Sequence, residues 1–349
     1  MKTSALRFLV CPQCRQSLDL HAPPEPGSEI MEGALSCRGC RAEYPITRGV
    51  PRFVRAMTYA SSFGRQWNWF RRVQLDSHSG SGESERTLHA TTGWTREDYR
   101  GRLVLDAGVG CGRFAEIVAQ YGGEVVGIDL TDAVDAAYAN IGRRENVHLI
   151  QADIFAMPFR AETFDLVYSI GVLHHTPEPR AAFDHVAATV KPGGGLAVYL
   201  YHGYGPGNRC ADVIRRLTTR LPLRLMFALS TLAIPLYYLY QVPVLGNVLR
   251  VLCPISLHAN WRWRWLDTFD WYTPKYQFKF FYPEIFRWFR ANGFADVEVY
   301  DDPIRMRGAG KTSSAGDLPV RRPLPAGRVA APAAAASHRI AAALHEREA

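Results

Sequence analysis

Three glycines and three aspartates are the residues of this chain whose types and spacing most clearly suggest ligand binding. The glycines lie in the segment LVLDAGVGCGRFAE at residues 103–116 and are Gly108, Gly110 and Gly112. The aspartates stand at the ends of three successive strand-like segments and are Asp106, Asp129 and Asp153. Open α/β sheets bind ligands at the carboxyl ends of their parallel strands. We therefore expect these residues to share one crevice.

The glycine spacing excludes a Walker loop and differs from the dinucleotide-binding pattern. A Walker loop needs Lys followed by Ser or Thr after its last glycine, but Gly112 is followed by Arg113 and Phe114. The dinucleotide pattern is G-x-G-x-x-G, in which the second glycine lets the backbone approach a pyrophosphate. Here the spacing is G-x-G-x-G, so the glycines alone do not identify a dinucleotide site.

The aspartates suggest a smaller ligand that contains adenosine. Asp129 follows Asp106 by 23 residues, where a carboxylate can accept hydrogen bonds from both ribose hydroxyls. Asp153 can accept one from an adenine amino group, while Ile154 and Phe155 flank the ring. Asp106 either contacts the ligand or organises the glycine loop. Together these residues predict an adenosine whose 5′ substituent is not a pyrophosphate.

Four cysteines near the start of the chain have the spacing of a metal site. They occur as two Cys-x-x-Cys pairs and are Cys11, Cys14, Cys37 and Cys40. Four thiolates match a tetrahedral structural zinc site with no position open for water. We expect Zn²⁺ there, and we expect this module to have a core of its own. Cys111, Cys210 and Cys253 lie outside the pairs and are expected to be free thiols.

Strand-like and helix-like segments alternate around the aspartates, as in βαβ units on a parallel sheet. The predicted strands are RLVLD, EVVGIDL, VHLIQAD, FDLVYSIGVL and LAVYLY, with KPGGG as a turn before the fifth. The intervening helices are RFAEIVAQYGG, TDAVDAAYANIG and PEPRAAFDHVAATV. A later helix, YPEIFRWFRANGF, leads into a hairpin through DVEVY and IRMRG. The fold class is therefore α/β.

Residues 101 to about 200 resemble the class I S-adenosylmethionine-dependent methyltransferases. The segments that carry the resemblance are VLDAGVGCGRF, GIDL, QADIFAMPF, FDLVYSIGVLHHTPEP and KPGGGLAVYLY. The resemblance implies a Rossmann-like seven-stranded sheet with helices on both faces and S-adenosyl-L-methionine as cofactor. The cofactor-binding residues that it implies are Trp67, Asp106, Gly108, Gly110, Gly112, Asp129, Leu130, Asp153, Ile154 and Ser169. Residues 1–55, which end in YPITRGVPRFV, are similar to Trm112-type zinc ribbons.

Three histidines are candidate proton acceptors beside the cofactor. His174 and His175 are expected at the rim of the crevice, and His202 follows the fifth strand. His174 and His202 are the predicted catalytic residues, although a base is optional because the sulfonium methyl group is already activated. The segment SIGVLHH lacks the Asn/Asp-Pro-Pro-aromatic motif that is typical of methyltransferases acting on nucleobase amines.

Two further segments are expected near the site. The connector YASSFGRQWNWF places Phe63, Gln66, Trp67 and Phe70 at helical spacing, which fits either core packing or a cap over the cofactor. The segment FDWYTPKYQFKFF offers candidate substrate contacts at Asp270, Tyr272, Lys275 and Tyr276.

An apolar and basic insertion, at about residues 205–275, is the part least like the family. Residues 225–240 form an apolar run interrupted by Pro235 that is shorter than the roughly 20 residues a spanning helix needs. The run fits a lid over a hydrophobic substrate or a helix at a membrane interface. Six arginines against one acid, Asp212, occur between 209 and 257, and we expect Arg215, Arg216, Arg220 and Arg224 to border the apolar run.

The charge of the chain and its segment boundaries limit the kinds of partner and the domain organisation that the sequence predicts. The 349 residues carry a formal net charge of +8, concentrated in the apolar insertion, so the charge fits an apolar partner with an anionic border better than a nucleic acid. No secretory signal is recognisable at the start, which predicts a cytoplasmic protein, and the apolar insertion leaves membrane association as an option. We expect a ribbon at 1–55, a connector at 56–100, a methyltransferase domain at 101–311 and a disordered tail at 312–349.

These observations predict an enzyme that methylates oxygen or carbon of a small-molecule or lipid-linked acceptor. One alternative is an RNA methyltransferase that uses the zinc ribbon to dock RNA. The other is a scaffold that binds the cofactor without catalysis.

Overall fold

The computed structural model describes residues 1–22, 29–54, 60–204, 206–301 and 304–312. The predicted disordered tail lies outside the described residues except for its first residue. The first module is a four-stranded antiparallel sheet in the order β1-β2-β3-β4. Its strands are β1 (Leu18–His21), β2 (Gly33–Cys37), β3 (Glu43–Thr47) and β4 (Val50–Pro51).

A second sheet of seven strands has the order β10-β11-β9-β8-β5-β6-β7. Strands β5 to β9 pair in parallel, and β11 pairs antiparallel with β9 and β10. The strands are β5 (Leu103–Ala107), β6 (Glu124–Asp129), β7 (Val147–Gln151), β8 (Phe164–Ile170), β9 (Val190–Tyr199), β10 (Asp296–Tyr300) and β11 (Arg305–Ala309). This mixed sheet confirms the predicted α/β class and the seven-stranded methyltransferase-like architecture.

Helices connect these strands and precede the sheet. The four before β5 are α1 (Ser61–Trp69), α2 (Asp76–Ser79), α3 (Glu83–Thr92) and α4 (Arg96–Tyr99). Those that connect or follow the parallel strands are α5 (Arg113–Gln120), α6 (Ala133–Ile141), α7 (Pro179–Ala188) and α13 (Tyr282–Ala291). The insertion consists of α8 (Pro206–Thr218), α9 (Leu223–Ser230), α10 (Ala233–Leu239), α11 (Leu245–Leu252) and α12 (Trp261–Tyr272).

The segment KPGGG does not form the predicted turn, because it belongs to β9. The pairing of β9 with β8 is irregular between Phe164 and Leu166, and Gly193 has a φ of +75°. Glycine tolerates this left-handed conformation, so the strand continues through a local distortion rather than ending there.

The two sheets share one hydrophobic core, contrary to the expectation of separate cores. Phe8 and Tyr44 of the first module belong to the same buried cluster as Leu105 and Phe159 of the second. The side chain of Arg52, after β4, crosses to α6 and donates to Asp135 Oδ1 at 2.6 Å. A parallel bridge between Arg52 and Gln151 places β4 beside the edge strand β7. Packing of the first module therefore supports the edge of the larger sheet.

Candidate functional site

A cavity of about 380 Å³ lies at the carboxyl ends of the parallel strands. The loops after β5, β6 and β7 contribute Gly108, Gly110, Asp129, Leu130, Asp153 and Ile154 to its wall. The loop after β8 contributes Gly171 and Val172, and α1 contributes Phe63, Gln66 and Trp67. The remaining part of the wall described here comes from α12, with Trp263, Leu266, Asp267, Asp270 and Trp271. The structure thus brings six of the residues predicted from the strand ends, together with Trp67, to one cavity.

Asp129 ends β6 and is held by the loops on both sides of it. Its Oδ1 accepts hydrogen bonds from the backbone nitrogen of Thr131 at 2.9 Å and from Thr131 Oγ1 at 2.8 Å. Its Oδ2 accepts one from the backbone nitrogen of Gly110 at 3.1 Å. Burial raises the pKa of Asp129. A carboxylate has about four lone-pair positions, so these three bonds orient the group and leave it able to accept from a ligand hydroxyl.

The glycine loop lies so close to neighbouring side chains that residues with a Cβ atom would not fit. Gly108 and Gly110 have φ values of +106° and +52°, in a region that residues with a Cβ atom rarely adopt. A Cβ atom on Gly108 would lie 2.2 Å from Val172 Cγ2, and one on Gly110 would lie 3.2 Å from Trp67 Cε2. The loop therefore requires glycine to keep its path between β8 and the Trp67 indole.

Asp153 and Ile154 lie in the cavity wall after β7, but Phe155 does not. Asp153 Oδ1 accepts a hydrogen bond from the backbone nitrogen of Phe155 at 3.0 Å, and burial raises the pKa of Asp153. The Phe155 ring packs edge-on against His185, 5.8 Å between centroids. Because its side chain is engaged there, Phe155 is not in the position expected beside an adenine ring.

Three predicted cofactor residues lie behind the cavity wall. Asp106 is buried, its Oδ2 accepts a hydrogen bond from the Tyr168 hydroxyl at 2.9 Å, and burial raises its pKa to about 7. Ser169 is buried, and its Oγ donates to the Ala107 carbonyl at 2.7 Å. Gly112 precedes α5 with a φ of +90°. These placements correct the expectation of direct contact for Ser169 and Gly112, and for Asp106 they fit the alternative to direct contact, since its carboxylate is bound by Tyr168.

A second part of the wall combines aromatic rings with two carboxyl groups from α12. Asp270 Oδ1 accepts a hydrogen bond from Gln66 Nε2 at 3.1 Å, and its Oδ2 accepts one from the Tyr201 hydroxyl at 3.4 Å. Asp267 accepts from Gln74 Nε2 and from Ser256 Oγ, each at 3.2 Å. Burial raises the pKa of Asp270 to about 6 and that of Asp267 to about 7. Both groups can therefore exchange protons near neutral pH.

The histidines are arranged differently from the prediction. His175 lines the cavity, its Nδ1 donates to the Tyr276 carbonyl at 2.8 Å, and burial lowers its pKa to about 3. His174 is fully buried and stacks on Tyr201 at 3.9 Å between ring centroids, so it does not reach the rim. His202 is also absent from the cavity wall and stacks on Tyr204, 6.0 Å between centroids. Neither predicted catalytic histidine is positioned to contact a ligand in this cavity.

Of the four expected substrate contacts, the cavity wall includes Asp270 alone. The Tyr272 hydroxyl donates to the Pro254 carbonyl at 2.6 Å, so that ring points into the helical insertion. The Tyr276 carbonyl is engaged by His175, and the Lys275 ammonium lies 5.5 Å from the Tyr276 ring centre. Tyr272 therefore contacts the segment before α12, and Lys275 and Tyr276 contact groups of or near the segment after it, rather than the cavity.

Helix α1 both packs and caps the cavity. Phe63, Gln66 and Trp67 lie in the wall, whereas the Phe70 ring packs edge-on against Trp265 at 5.2 Å. Gln66 Oε1 is buried without a hydrogen-bond partner. The connector thus contributes both to the cavity wall, through α1, and to core packing, through Phe70 directly after α1.

Residues 225–240 are not in the cavity wall, which α12 forms instead. Arg215, expected to border the apolar run, is buried, and its guanidinium donates to the Trp271 carbonyl at 2.7 Å and to the Pro274 carbonyl at 2.6 Å. Arg215 thus holds the end of α12 in place. The expected lid is not formed, because helices α9 and α10 pack outside α12, and Arg215 does not border the apolar run, because its guanidinium is engaged at the end of α12.

Two further wall residues were not recognised from the sequence as functional. Asp267 lies three residues before Asp270, which places the two carboxyl groups on one face of α12. Arg113 also lines the cavity, and its Nε donates to Ser84 Oγ at 3.1 Å. The sequence signal that could have identified Asp267 is the pair of acids in WRWRWLDTFDWY, since acids seldom occur on an otherwise aromatic helix face without a role.

The four paired cysteines form a candidate metal centre in the first module. Their Sγ atoms all lie within 4.8 Å of one another. Cys11 Sγ lies 3.6 Å from Cys40 Sγ, and Cys14 Sγ lies 3.3 Å from Cys37 Sγ. Four soft sulfur donors in this arrangement fit a tetrahedral ion such as Zn²⁺.

Comparison with known proteins identifies both modules. A family model described as "Methyltransferase domain" matches residues 105–198, and one described as "Trm112p-like protein" matches residues 3–49. Together with the seven-stranded sheet and the four-cysteine cluster, these matches identify a class I S-adenosylmethionine-dependent methyltransferase domain behind a Trm112-like domain.

Individual curated relatives are similar over part of the chain. Ubiquinone biosynthesis O-methyltransferase of Coxiella burnetii is 32% identical over 99 residues, which cover 28% of this chain and 42% of the relative. Sterol 24-C-methyltransferase ERG6 of Saccharomyces cerevisiae is 33% identical over 105 residues, which cover 29% of this chain and 27% of the relative. The chain thus spans less than half the length of these curated relatives.

Two solved structures are similar over more of the chain. A complex of the Haloferax volcanii Trm112 methyltransferase activator with a methyltransferase is 13% identical, with a TM-score of 0.44, and the match covers 73% of this chain and all of that chain. A phosphoethanolamine N-methyltransferase of Haemonchus contortus is 16% identical, with a TM-score of 0.44, and the match covers 74% of this chain and 48% of that chain.

Proposed function

We propose that this protein transfers a methyl group from S-adenosylmethionine to oxygen or carbon of a small-molecule or lipid-linked acceptor. The observation that carries the proposal is that one cavity contains the strand-end carboxylates Asp129 and Asp153 together with the aromatic and acidic face of α12. A cofactor and an acceptor can therefore occupy the same enclosed space.

The residues around the glycine loop fit an adenosine cofactor. Asp129 would accept a hydrogen bond from a ribose hydroxyl at its remaining lone-pair position, and Asp153 would accept one from the adenine amino group beside Ile154. Leu130 would pack against the same nucleoside, and Trp67 would cover the loop at Gly110. When bound, S-adenosylmethionine supplies an activated methyl group on a sulfonium, so the task of these residues is to position and enclose.

Asp270 is the proposed proton acceptor when the acceptor atom is a hydroxyl oxygen. As the new carbon–oxygen bond forms, that oxygen loses its proton, and Asp270 can take it because its carboxylate lies in the wall and is already oriented by Gln66 and Tyr201. Its pKa of about 6 makes the charged form dominant at neutral pH. His175 is a weaker base because burial lowers its pKa to about 3.

We also propose that the four cysteines bind one Zn²⁺ ion with a structural role. All four ligand positions would be occupied by thiolates, which leaves none for a reacting water. The ion would hold two loops of the first module against the shared core, since Cys11 and Cys37 belong to that core.

Transfer of labelled methyl groups into fractionated cell extract tests the proposed reaction. Purified protein is incubated with methyl-labelled S-adenosylmethionine, and lipid, small-molecule, RNA and protein fractions are counted. We expect label in the lipid or small-molecule fraction. Label confined to RNA would favour the RNA methyltransferase alternative, and cofactor binding without label in any fraction would favour the scaffold.

A further inference from the structure

Four consecutive helices of the insertion leave large apolar side chains exposed. On α8, α9 and α11 the exposed residues recur three or four positions apart, so that each of these sets lies on one face of its helix, whereas the two on α10 are adjacent. They are Val213 and Leu217 on α8, Leu225 and Leu229 on α9 with Leu232 just after it, Tyr238 and Leu239 on α10, and Leu245, Val248 and Leu252 on α11. Tyr238 is 72% exposed and Leu217 65%. Isolated exposed apolar residues are normal, but a succession of such faces indicates an interaction site.

Exposed arginines accompany these apolar faces. Arg216, Arg220, Arg224 and Arg250 are exposed, and the one acid in residues 206–257 is Asp212. Asp212 Oδ1 already accepts a hydrogen bond from Lys279 Nζ at 2.7 Å. We call α8 to α11 with these four arginines the apolar-basic surface. It is both apolar and positively charged.

The charge of the apolar-basic surface decides between possible partners. A second copy of the same surface would bring its arginines against these four without a carboxylate to pair with them, and the charges would repel. A nucleic acid would satisfy the arginines but leave the apolar side chains exposed to water. An anionic bilayer satisfies both, because lipid phosphates attract arginine while the interface accepts apolar side chains.

Packing connects the apolar-basic surface to the cavity. Phe227 of α9 lies 4.4 Å from Trp265 and 5.7 Å from Phe269 of α12, measured between ring centroids. Trp263 and Asp267 of the same helix line the cavity. The surface is therefore separated from the cavity by the thickness of α12, on the side where an acceptor would bind. Within the described part of the chain, no helix is long and apolar enough to cross a membrane.

We propose that the apolar-basic surface binds peripherally to anionic lipid bilayers, with α8 to α11 lying at the interface. This proposal does not depend on methyl transfer, since it concerns a surface outside the cavity. It would bring the acceptor wall of the enzyme close to lipid-embedded molecules.

Sedimentation of the full chain with vesicles tests this proposal. The two probes are vesicles of phosphatidylglycerol mixed with phosphatidylcholine and vesicles of phosphatidylcholine alone. We expect binding to the anionic vesicles that weakens as salt is added, because salt screens the arginines, and much less binding to the neutral ones. Failure of the wild type to sediment with anionic vesicles, or equal binding to both kinds, would overturn the proposal.

Charge variants locate the binding surface. Substitution of Arg216→Gln, Arg220→Gln and Arg224→Gln together is expected to weaken binding about a hundredfold, since one arginine near an anionic surface contributes about fivefold. The matched control removes three exposed arginines elsewhere, Arg100→Gln, Arg102→Gln and Arg287→Gln. It carries the same net charge, and we expect it to bind nearly as the wild type. Equal losses in both variants would contradict the assigned surface.

Apolar variants provide an independent readout. The double variant Leu217→Ser with Leu252→Ser is expected to bind vesicles less well at high salt as well as at low salt. The control is Phe286→Ser with Val299→Ser, two exposed residues outside the apolar-basic surface, and it is expected to bind as the wild type does. All these residues are exposed, so thermal melting should stay at the wild-type temperature in each variant. The proposal would be overturned if the wild type did not bind vesicles but formed a concentration-dependent dimer that the Leu217/Leu252 variant abolished. A second copy of the chain would then be the partner of this surface.

Discussion

Burial acts in opposite directions on the acids and histidines of the cavity, which favours Asp270 as the proposed proton acceptor. Removing a group from water disfavours its charged form, which raises the pKa of a carboxyl group and lowers that of an imidazole. Asp270 is therefore brought to about 6, close to the working pH of a base, and His175 to about 3. The same burial leaves Asp270 reactive and makes His175 a neutral hydrogen-bonding group.

Substituting Asp270→Asn is expected to lower the turnover of a hydroxyl acceptor about 100-fold or more, the range for loss of a positioned base. In the wild type, turnover should rise with pH through about 6, because only the charged Asp270 can accept the proton. The variant should lose this rise. The measurement is the pH profile of kcat for both proteins.

Tyr201→Phe is the companion variant for the pH profile. The Tyr201 hydroxyl donates to Asp270 Oδ2 and lowers the pKa of Asp270. Its removal should therefore move the rise in kcat to higher pH without abolishing it. A rise at the same pH in the wild type and in both variants would mean that another group titrates.

The places of residues in the loops directly after strands could be predicted from the sequence, whereas of the four contacts expected after residue 269 only Asp270 lies in the cavity wall. Asp129 and Asp153 lie in the cavity wall because a carboxyl end of a parallel strand has a fixed place in such a sheet. Asp267 was not predicted as a wall residue, because its position depends on how α12 packs across the end of the sheet. The position of His174 was predicted wrongly. In the short helical turn at Leu173–His175, the ring of His175 lies in the cavity wall, whereas the ring of His174, one residue earlier, points away from the cavity.

At the level of elements, α9 holds α12 against the cavity through one aromatic cluster. Phe227 contacts Trp265 and Phe269, and its carbonyl accepts a hydrogen bond from Trp265 Nε1 at 3.1 Å. The cavity residues Trp263, Asp267 and Asp270 all lie on α12. The apolar run at residues 225–240 therefore acts on the site through α12, without forming its wall.

Substituting Phe227→Ala should lower the free energy of unfolding by about 2 kcal/mol, less than a fully buried Phe because its ring is partly exposed. It should also raise KM for the acceptor more than it weakens S-adenosylmethionine binding, since Asp129 and Asp153 lie on other elements. The control is Leu229→Ala on the exposed face of α9. Denaturant unfolding and steady-state kinetics measure the two effects, and equal KM values for Phe227→Ala and the control would contradict this role for α9.

The strands and helices of the large sheet could be predicted because alternation of apolar segments with glycine-rich loops is a local property. The antiparallel hairpin at its edge, β10 and β11, was also expected from the last segments. The arrangement of α8 to α12 could not be derived, because short apolar helices pack in many ways and only tertiary contacts select one.

At the scale of the whole molecule, the first module supports the loop that carries Asp153. Arg15 follows Cys14, and its Nη1 donates to the carbonyls of Met157 at 2.9 Å and Phe159 at 3.1 Å. Val10 donates a backbone hydrogen bond to the Pro158 carbonyl at 2.9 Å. The cysteine cluster is thus linked, through the segment that follows Asp153, to the side of the cavity proposed to bind the cofactor.

Removal of the metal ligand in Cys37→Ser should reduce zinc content from one ion per chain to none and lower the melting temperature. Because of the shared core, it should also weaken S-adenosylmethionine binding by about 0.5–2 kcal/mol, the range for coupling through packed contacts. The control is Cys253→Ser, an exposed cysteine far from the cluster in sequence. Loss of zinc with unchanged cofactor affinity would show that the two modules act independently.

Calorimetric titration with S-adenosylmethionine tests the central claim, that the cavity beside Asp129 is the cofactor site. We predict one bound molecule per chain and a loss of about 1.5–3 kcal/mol of binding free energy in Asp129→Ala, as expected for hydrogen bonds to a charged group. Asp132→Ala, which removes an exposed carboxylate three residues away, should bind as the wild type. Unchanged affinity in Asp129→Ala, or binding of NAD in place of S-adenosylmethionine, would contradict the account.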